Sequence, residues 1–324
     1  MSFSYELKKE LISIIPKNES SFLSELSAII RTSAEIKLKQ GKFLIVIKTE
    51  HPELYQKINT ILETLYGFSV ELEISEDESV FHGFRYEIKI DSTHSNHVLE
   101  DCGILYYDDE HNIQFEAGID KYIIMDEEDK KSYIRGAFIG CGTSSIVLTA
   151  KDNLNIKKNA GYHLEFVFSS EKFASDFSYL LADFDILSKK VERKHSYVVY
   201  LKEAEFISDL LALIGASRMV LKLNNEVVLR SLRNQVNRQN NCETGNISKV
   251  VNASIKQVLA IQAINETIGL ETLPQPLQEV AMLRLANQEE SLDELVKLSA
   301  TPITKSGLNH RFRKIIEIAN SLKK

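Results

Sequence analysis

At 324 residues the chain is too long for one ordinary small core, so two domains are expected. Its composition, 44% hydrophobic and 26% charged, is that of a soluble globular protein, and no apolar run approaches the roughly 18 residues of a membrane span. The net charge of −7 is uneven: residues 1–217 carry 36 acidic and 24 basic side chains, and residues 218–324 carry 10 and 15. An acidic body with a basic end predicts that phosphate is contacted mainly through that end.

Cysteine usage and the N-terminal sequence point to one compartment. Cys102, Cys141 and Cys242 lie far apart, which is typical of a reducing cytoplasm and gives neither a disulfide framework nor a zinc site. The opening sequence MSFSYELKKELISII lacks the basic-then-apolar pattern of a secretory signal. We therefore expect a cytoplasmic protein without a membrane segment.

The first two-thirds of the chain has the pattern of a duplication, with repeats at about 20–105 and 130–215. In the first repeat, residues 20–36 have helical apolar spacing, KFLIVIKT (42–49) is a strand, and residues 51–68 are a second helix. SVELEI and RYEIKI then alternate as strands around a polar loop, and SNHVLEDCGIL closes the repeat as a short helix.

The second repeat has the same order. Residues 130–146 predict a helix and a turn, YHLEFVF (162–168) a strand, and residues 170–184 an amphipathic helix. ILSKKVERK and SYVVYLK are paired strands, and EAEFISDLLALIG is the closing helix. Each unit thus follows the order helix, two strands, helix, two strands, helix. Together the two units predict one α+β domain over residues 1–217.

Residues 218–250 are poor in large apolar side chains and rich in Asn and Arg, which predicts a linker helix. Arg230, Asn234, Asn237 and Asn241 are spaced four, three and four apart, so a helix would place them on one face, flanked by Arg233 and Arg238. Two interpretations stay open for this row: contact with DNA phosphate, or a linker whose amides bond to neighbouring backbone groups. Either role should leave the Asn side chains hydrogen-bonded.

The last part, residues 251–324, predicts an all-helical domain, in which Pro274 and Pro276 mark the start of a helix. Residues 291–313, SLDELVKLSATPITKSGLNHRFR, form two short amphipathic helices joined by a tight polar turn. This is the layout of a helix-turn-helix, whose second helix enters the major groove of DNA.

The second of these helices, from about Thr304 to Leu322, separates into two faces. Leu308, Phe312, Ile315, Ile316 and Ala319 form a core stripe. The candidate DNA-binding residues are Lys305, Ser306, Asn309, His310, Arg311 and Arg313. Asn and Arg suit base edges, because each makes two hydrogen bonds in one plane worth roughly 1–3 kcal/mol of discrimination. Lys305 and Arg311 are assigned to phosphate. Taken alone, the face is more typical of a solvated helix, and it is the preceding helix and turn that favour DNA.

The two helices that open the repeats contain matching small residues, Ser27 and Ala28 in one and Gly136 and Ala137 in the other. Small residues let two backbones approach closely at the centre of a pseudo-twofold domain. This resembles the LAGLIDADG homing endonucleases, in which each such motif ends with an acidic residue that holds the catalytic metal. The corresponding ends here, 31–33 and 139–141, read Arg-Thr-Ser and Ile-Gly-Cys. We therefore expect no catalytic residues, no metal and no cofactor, because hard divalent cations require carboxylate oxygens.

Segments 232–249 and 291–313, with GLETLPQPLQEVAMLRL between them, extend the resemblance to nearly the whole chain. The chain resembles the WhiA family of bacterial regulators, which joins a degenerate LAGLIDADG-type domain to a C-terminal helix-turn-helix. The resemblance implies sequence-specific promoter binding in a Gram-positive-type bacterium, with roles in sporulation or in cell division and chromosome segregation. It implies a nucleoid location and double-stranded DNA as partner, with RNA polymerase or another regulator as a further one.

Two other functions stay open. One is an active LAGLIDADG-type nuclease, which the missing acidic residues oppose. The other is a scaffold whose first domain binds a protein partner, because an acidic body grips phosphate poorly. His94 and His97 lie three apart, but no third ligand is evident, so we interpret them as surface histidines.

Overall fold

The computed structural model describes residues 2–39, 42–76, 83–146 and 161–322. The chain divides into two compact units, Met1–Leu229 and Arg230–Lys324. Within the described residues, no helix is both long enough and apolar enough to cross a bilayer. The domain boundaries at 217 and 250 stay predictions.

The first unit opens with helix α1 (Phe3–Ile12), followed by the first repeat. That repeat comprises α2 (Glu19–Ser33), β1 (Ala34–Lys39), β2 (Lys42–Thr49), α3 (Glu53–Tyr66), β3 (Glu71–Glu76), β4 (Phe84–Ile90) and α4 (Ser95–Asp101). A hairpin of β5 (Leu105–Tyr107) and β6 (Ile113–Phe115) and a 3-10 turn (Lys121–Ile123) lead to the second repeat. The polar loop expected between β3 and β4 lies largely outside the described residues.

The second repeat has the same element order. It comprises α5 (Glu127–Cys141), β7 (Gly142–Ser144), β8 (Leu164–Phe168), α6 (Glu171–Ala182), β9 (Lys189–Arg193), β10 (Ser196–Leu201) and α7 (Ala204–Leu213). Each repeat folds one four-stranded antiparallel sheet, with strand order β1-β2-β4-β3 in the first and β7-β8-β10-β9 in the second. The identical topology confirms the predicted duplication and the α+β class.

The predicted ends of three elements were wrong. The helix predicted over 20–36 ends at Ser33, because the following residues alternate and pair with β2 from Ala34 opposite Ile47. The turn predicted after α5 is strand β7. The closing helix of the first repeat ends at Asp101, and the chain turns at Gly103, whose φ of 60° favours glycine, before Leu105 starts β5.

The second unit is helical, as predicted. Its elements are the end of α8 (Ser217–Thr267), a 3-10 turn (Leu270–Thr272), α9 (Gln275–Ala286), α10 (Leu292–Leu298) and α11 (Lys305–Leu322). The linker helix is therefore longer than predicted, because α8 begins in the first unit and continues beyond residue 250. Pro274 and Pro276 do mark the start of α9, where a missing N–H costs no intrahelical hydrogen bond.

Helices α2 and α5 pack against each other at the centre of the first unit. A Cβ atom on Gly136 would lie 2.4 Å from the carbonyl oxygen of Glu25, and one on Gly140 would lie 1.9 Å from Thr32 Oγ1. At residue 136 the backbone of α2 leaves no space for a side chain, so this close approach requires glycine; at residue 140 the Thr32 side chain fills the space. The close approach predicted from the small residues is confirmed.

A buried ionic cluster joins these two helices to α3. Glu25 is fully buried, with Oε1 2.8 Å from Lys57 Nζ and Oε2 2.9 Å from Arg135 Nη2. Arg135 also donates from Nη2 to Ser132 Oγ, and Lys57 donates to the carbonyl of Ile14. Burial lowers the pKa of Lys57, while the Glu25 carboxylate opposes that shift. One carboxylate thus holds two cations in the core.

The start of α8 is capped by a side chain from α1. Arg218 N donates to Glu10 Oε1 at 2.8 Å, and Met219 N donates to Glu10 Oε2 at 3.1 Å. Lys222 and Glu6 add an ion pair between the same two helices. A carboxylate that accepts the free amides of a helix N-terminus also favours the helix dipole. The first turn of α8 is therefore fixed to the beginning of the chain.

Candidate nucleic-acid interface

The helix-turn-helix of the second unit is defined by two capping side chains. Ser291 accepts from Glu294 N at 3.2 Å at the start of α10, and Thr304 accepts from Gly307 N at 3.1 Å at the start of α11. Along α11, Leu308, Phe312, Ile315 and Ala319 are buried and Ile316 packs at their edge. This confirms the predicted core stripe, and it leaves the opposite face of α11 outside the core.

A buried arginine of α9 supports this arrangement. Arg284 is 2% exposed, and its Nη1 donates to three backbone carbonyls, those of Asn287 (3.2 Å), Gln288 (3.4 Å) and Glu290 (2.7 Å). Its Nε donates to Gln257 Oε1 of α8 at 2.9 Å, and its guanidinium lies 5.3 Å from the Phe312 ring centroid. Burial lowers the pKa of this arginine. Arg284 thereby holds the loop before α10 by its hydrogen bonds and packs against Phe312 on the buried side of α11.

The predicted DNA-binding residues of α11 differ in exposure. Ser306, His310 and Arg313 are exposed, whereas Asn309 is half-buried. Lys305 is exposed, and its Nζ lies 2.6 Å from Asp293 Oδ2 of α10.

Arg311 is half-buried, and its Nη1 lies 3.5 Å from the carbonyl of Pro276. The face therefore exposes Ser306, His310 and Arg313. Lys305 and Arg311, the two predicted phosphate contacts, already have partners within the second unit. Sequence reasoning missed both partners and the supporting role of Arg284.

The Asn/Arg row of α8 lies on one helical segment, as its spacing required. Arg230 is half-buried, and the remaining members are exposed: Arg233, Asn234, Asn237, Arg238 and Asn241. An exposed row is compatible with contact to phosphate. That role stays a prediction.

The sheets of the first unit each have one face turned away from the core, and neither described face is uniformly basic. In the first sheet, Glu35 pairs with Lys48 at 2.9 Å and with Lys37 at 3.2 Å, so carboxylates alternate with cations. In the second sheet, Val167, Val198 and Val191 are direct cross-strand neighbours. Val167 and Val191 are 39% and 40% exposed. These faces do not resemble a surface built to attract phosphate.

The C-terminal ends of α2 and α5 do not fit the divalent metal that a nuclease of this fold would hold. Thr32 and Ser33 hydroxyls donate to carbonyls of their own helix, and burial raises the pKa of the Cys141 thiol to about 12. Glu50 is the one carboxylate among the described residues that line the adjacent cavity. Within the described residues, no cluster of His, Cys, Asp or Glu could hold a metal ion.

The two histidines near α4 are held separately. His94 Nδ1 lies 2.9 Å from Asp91 Oδ1 and its ring stacks on Phe68 at 3.9 Å, whereas His97 Nε2 lies 3.5 Å from Asp101 Oδ2. Each imidazole has its own carboxylate, so the pair does not converge on a shared ligand position.

Comparison with known proteins covers the whole chain. Three family profiles match: the WhiA N-terminal LAGLIDADG-like domain at 19–105, the WhiA LAGLIDADG-like domain at 130–233, and the WhiA C-terminal HTH domain at 236–319. A protein of Thermoanaerobacter sp. (strain X514), called probable cell division protein WhiA, is 39% identical over 325 residues, covering 100% of this chain and 98% of that protein.

This chain belongs to the WhiA family. A Clostridium beijerinckii protein with the same WhiA name is 39% identical over 324 residues, covering 100% of this chain and 99% of its own length. The full-length WhiA crystal structure from Thermatoga maritima shares the fold, with a TM-score of 0.57, 24% identity and 99% coverage of both chains. The WhiA HTH profile contains α10, α11 as far as Ala319, and all candidate residues of α11.

Proposed function

We propose that this WhiA-family chain is a sequence-specific DNA-binding transcriptional regulator that reads promoter DNA with α11. The observation that carries the proposal is the helix-turn-helix geometry, in which Ser306, His310 and Arg313 are exposed on a helix whose opposite stripe is buried. The basic excess of residues 218–324 supports the same assignment.

The regulatory role is proposed from the relatives. Two of them are called probable cell division proteins, so we propose genes of sporulation or of cell division and chromosome segregation as targets. The protein would act in the cytoplasm on the nucleoid, with double-stranded promoter DNA as its partner and RNA polymerase or another regulator as a second one.

A second candidate function is a protein-interaction scaffold with secondary DNA binding. Val167 of β8 and Val191 of β9 favour it: they are exposed on either side of the buried Val198, and exposed apolar side chains on a sheet face suit a protein partner better than phosphate. The two functions differ in which unit carries the essential contact. Substitutions on α11 distinguish the two functions, because a scaffold would still bind its protein partner when α11 no longer binds DNA.

The first test concerns base reading by α11. Replacing Asn309 and Arg313 with alanine should reduce affinity for the specific site and narrow its margin over random DNA, by about 1–3 kcal/mol for each lost base contact. Stability should change little, because Arg313 is exposed and Asn309 lies outside the buried stripe. The measurement is a binding titration on specific and random duplexes. Full discrimination by a folded double variant would remove α11 as the reading element.

Lys305 provides the matched comparison. Because phosphate contact carries no sequence information, Lys305→Ala should weaken binding to specific and random DNA alike, and the slope of log K against log salt should shrink by about one unit. Lys305 is paired with Asp293, so Asp293→Asn should act in the opposite direction and strengthen both. A loss confined to the specific site would contradict the phosphate assignment.

The second test concerns cleavage. Incubation with supercoiled plasmid and Mg²⁺ or Mn²⁺ should leave the DNA intact, because the ends of α2 and α5 offer hydroxyl, glycine and thiol instead of carboxylate. Glu50→Gln is the control, since Glu50 is the one carboxylate among the described residues that line the cavity beside these helix ends. Metal-dependent nicking that survives purification and disappears in Glu50→Gln would show an active nuclease.

A further inference from the structure

A cavity of about 550 Å³ lies where both repeat-opening helices end. Ser33 contributes from the end of α2, and Gly140 and Gly142 contribute from the end of α5. The other walls are polar side chains from α1, from the β2–α3 connection and from β4. The volume is that of a small-molecule site, within the usual range of roughly 300–1,000 Å³.

Lys8 of α1 is the unusual group in this cavity. Burial lowers its pKa, and the Cys141 thiol and the Glu50 carboxylate are the nearby groups that oppose this shift. Among the described residues, Lys8 Nζ makes no hydrogen bond and no ion pair. Lys48, which also lines the cavity, differs because its Nζ is paired with Glu35 at 2.9 Å. Lys8 is half-buried, and Glu50 is the one carboxylate among the described lining residues, against the three cations Lys8, Lys48 and Arg85. The wall therefore carries an excess of positive charge that an anionic ligand would balance.

The remaining walls suit a negatively charged ligand that also carries a ring or hydroxyl groups. The N-terminal turn of α1 adds the positive end of a ten-residue helix through Ser2 and Ser4. Tyr5 and His51 form a stacked aromatic pair with centroids 4.2 Å apart, and Glu50 offers an acceptor. Arg85 is the third cation of the wall.

We propose that this cavity binds a small phosphate-bearing molecule of the nucleotide class, with its phosphate at Lys8 and its ring beside Tyr5 and His51. A duplex phosphate is the less favoured source of the same charge, because the described sheet faces that flank this region are not uniformly basic. The site would make the first unit responsive to a soluble ligand, independently of base reading by α11.

The experiment uses the full chain and adenosine monophosphate as the probe, with inorganic phosphate for comparison. Binding is followed by titration calorimetry and by the change in Tm. A rise in Tm of about 2–4 °C is expected when the ligand is roughly tenfold above its Kd. Lys8→Met should abolish the heat of binding and the Tm shift. Lys9→Met is the matched control, because Lys9 lies on the same helix, pairs with Glu53 and does not line this cavity.

The outcomes separate the possible roles of Lys8. If Lys8→Met is as stable as the parent chain without ligand and loses the nucleotide response, the site is established. If Lys8→Met is less stable and keeps an unchanged response, Lys8 only offsets the negative ends of α2 and α5, and the proposal fails. It also fails if neither probe binds the parent chain, or if Lys8→Met weakens only duplex DNA. If the chain binds the nucleotide but does not discriminate promoter DNA from random DNA, the proposed function fails and the nucleotide site stands.

Discussion

Replacing Glu25 with alanine is expected to lower the free energy of unfolding of the first unit by about 3–5 kcal/mol, the usual cost of removing one partner from a buried ion pair. Glu25 is fully buried between Lys57 and Arg135, at 2.8 and 2.9 Å. Without it, two buried cations from α3 and α5 face each other with no counter-charge. Urea denaturation followed by circular dichroism measures the change.

The control for this substitution is Glu35→Ala. Glu35 also pairs with two lysines, Lys48 and Lys37, but it lies on the open face of the first sheet in contact with solvent. Exposed pairs of this kind contribute little to stability because solvent screens them, so Glu35→Ala should change the free energy of unfolding little. Equal effects of the two substitutions would show that the buried cluster does not hold α2, α3 and α5 together.

The second large effect is expected from Phe312→Ala in α11, at about 3–5 kcal/mol through the cavity that the missing ring leaves. Phe312 is 1% exposed, and Arg284 lies against its ring. The substitution should therefore weaken DNA binding together with stability, since α11 loses its support. Thermal unfolding and a DNA titration on the same samples measure both quantities. Lys314→Ala, on an exposed position of α11, should leave stability unchanged.

Phe312→Ala also gives a check on how α11 is held. If the variant loses DNA binding but keeps the parent unfolding curve, Phe312 contacts DNA or partner surfaces instead of the core. If it loses neither, the buried stripe does not determine the position of α11.

The parts of the fold that the sequence predicted are those set by local periodicity. Helices α3 and α6 and the strand pair of β9 and β10 were predicted because apolar spacing distinguishes helix from strand within a few residues. The core stripe of α11 follows the same rule. Gly136, one of the small residues singled out in the sequence, also indicated close packing, because a side chain there would collide with the backbone of α2.

The parts that were missed depend on partners distant in sequence. The residues of β1 alternate over only a short run that directly follows a helical one, and their pairing with β2 from Ala34 shows where the helix ends. Glu25 has its cations 32 and 110 positions away, so its burial has no local signal. At the candidate interface, the pairing of Lys305 with Asp293 and the orientation of Arg311 depend on how α9, α10 and α11 pack. Residue type alone therefore proposed α11 as the candidate helix, which stays a prediction, but it could not say which of its side chains already had partners.

The cap on α8 has a consequence for the order in which the protein forms during synthesis. Glu10 is synthesised 208 residues before Arg218, whose backbone amide donates a hydrogen bond to the Glu10 carboxylate. The cap on the first turn of α8 therefore cannot form until the ribosome has added residues up to Met219. Helix α8 obtains its cap only after both repeats have emerged and α1 has docked. A nascent chain in which α1 has not docked would lack the Glu10 cap at the start of α8. The formation of α8 is thereby coupled to correct folding of the N-terminal helix.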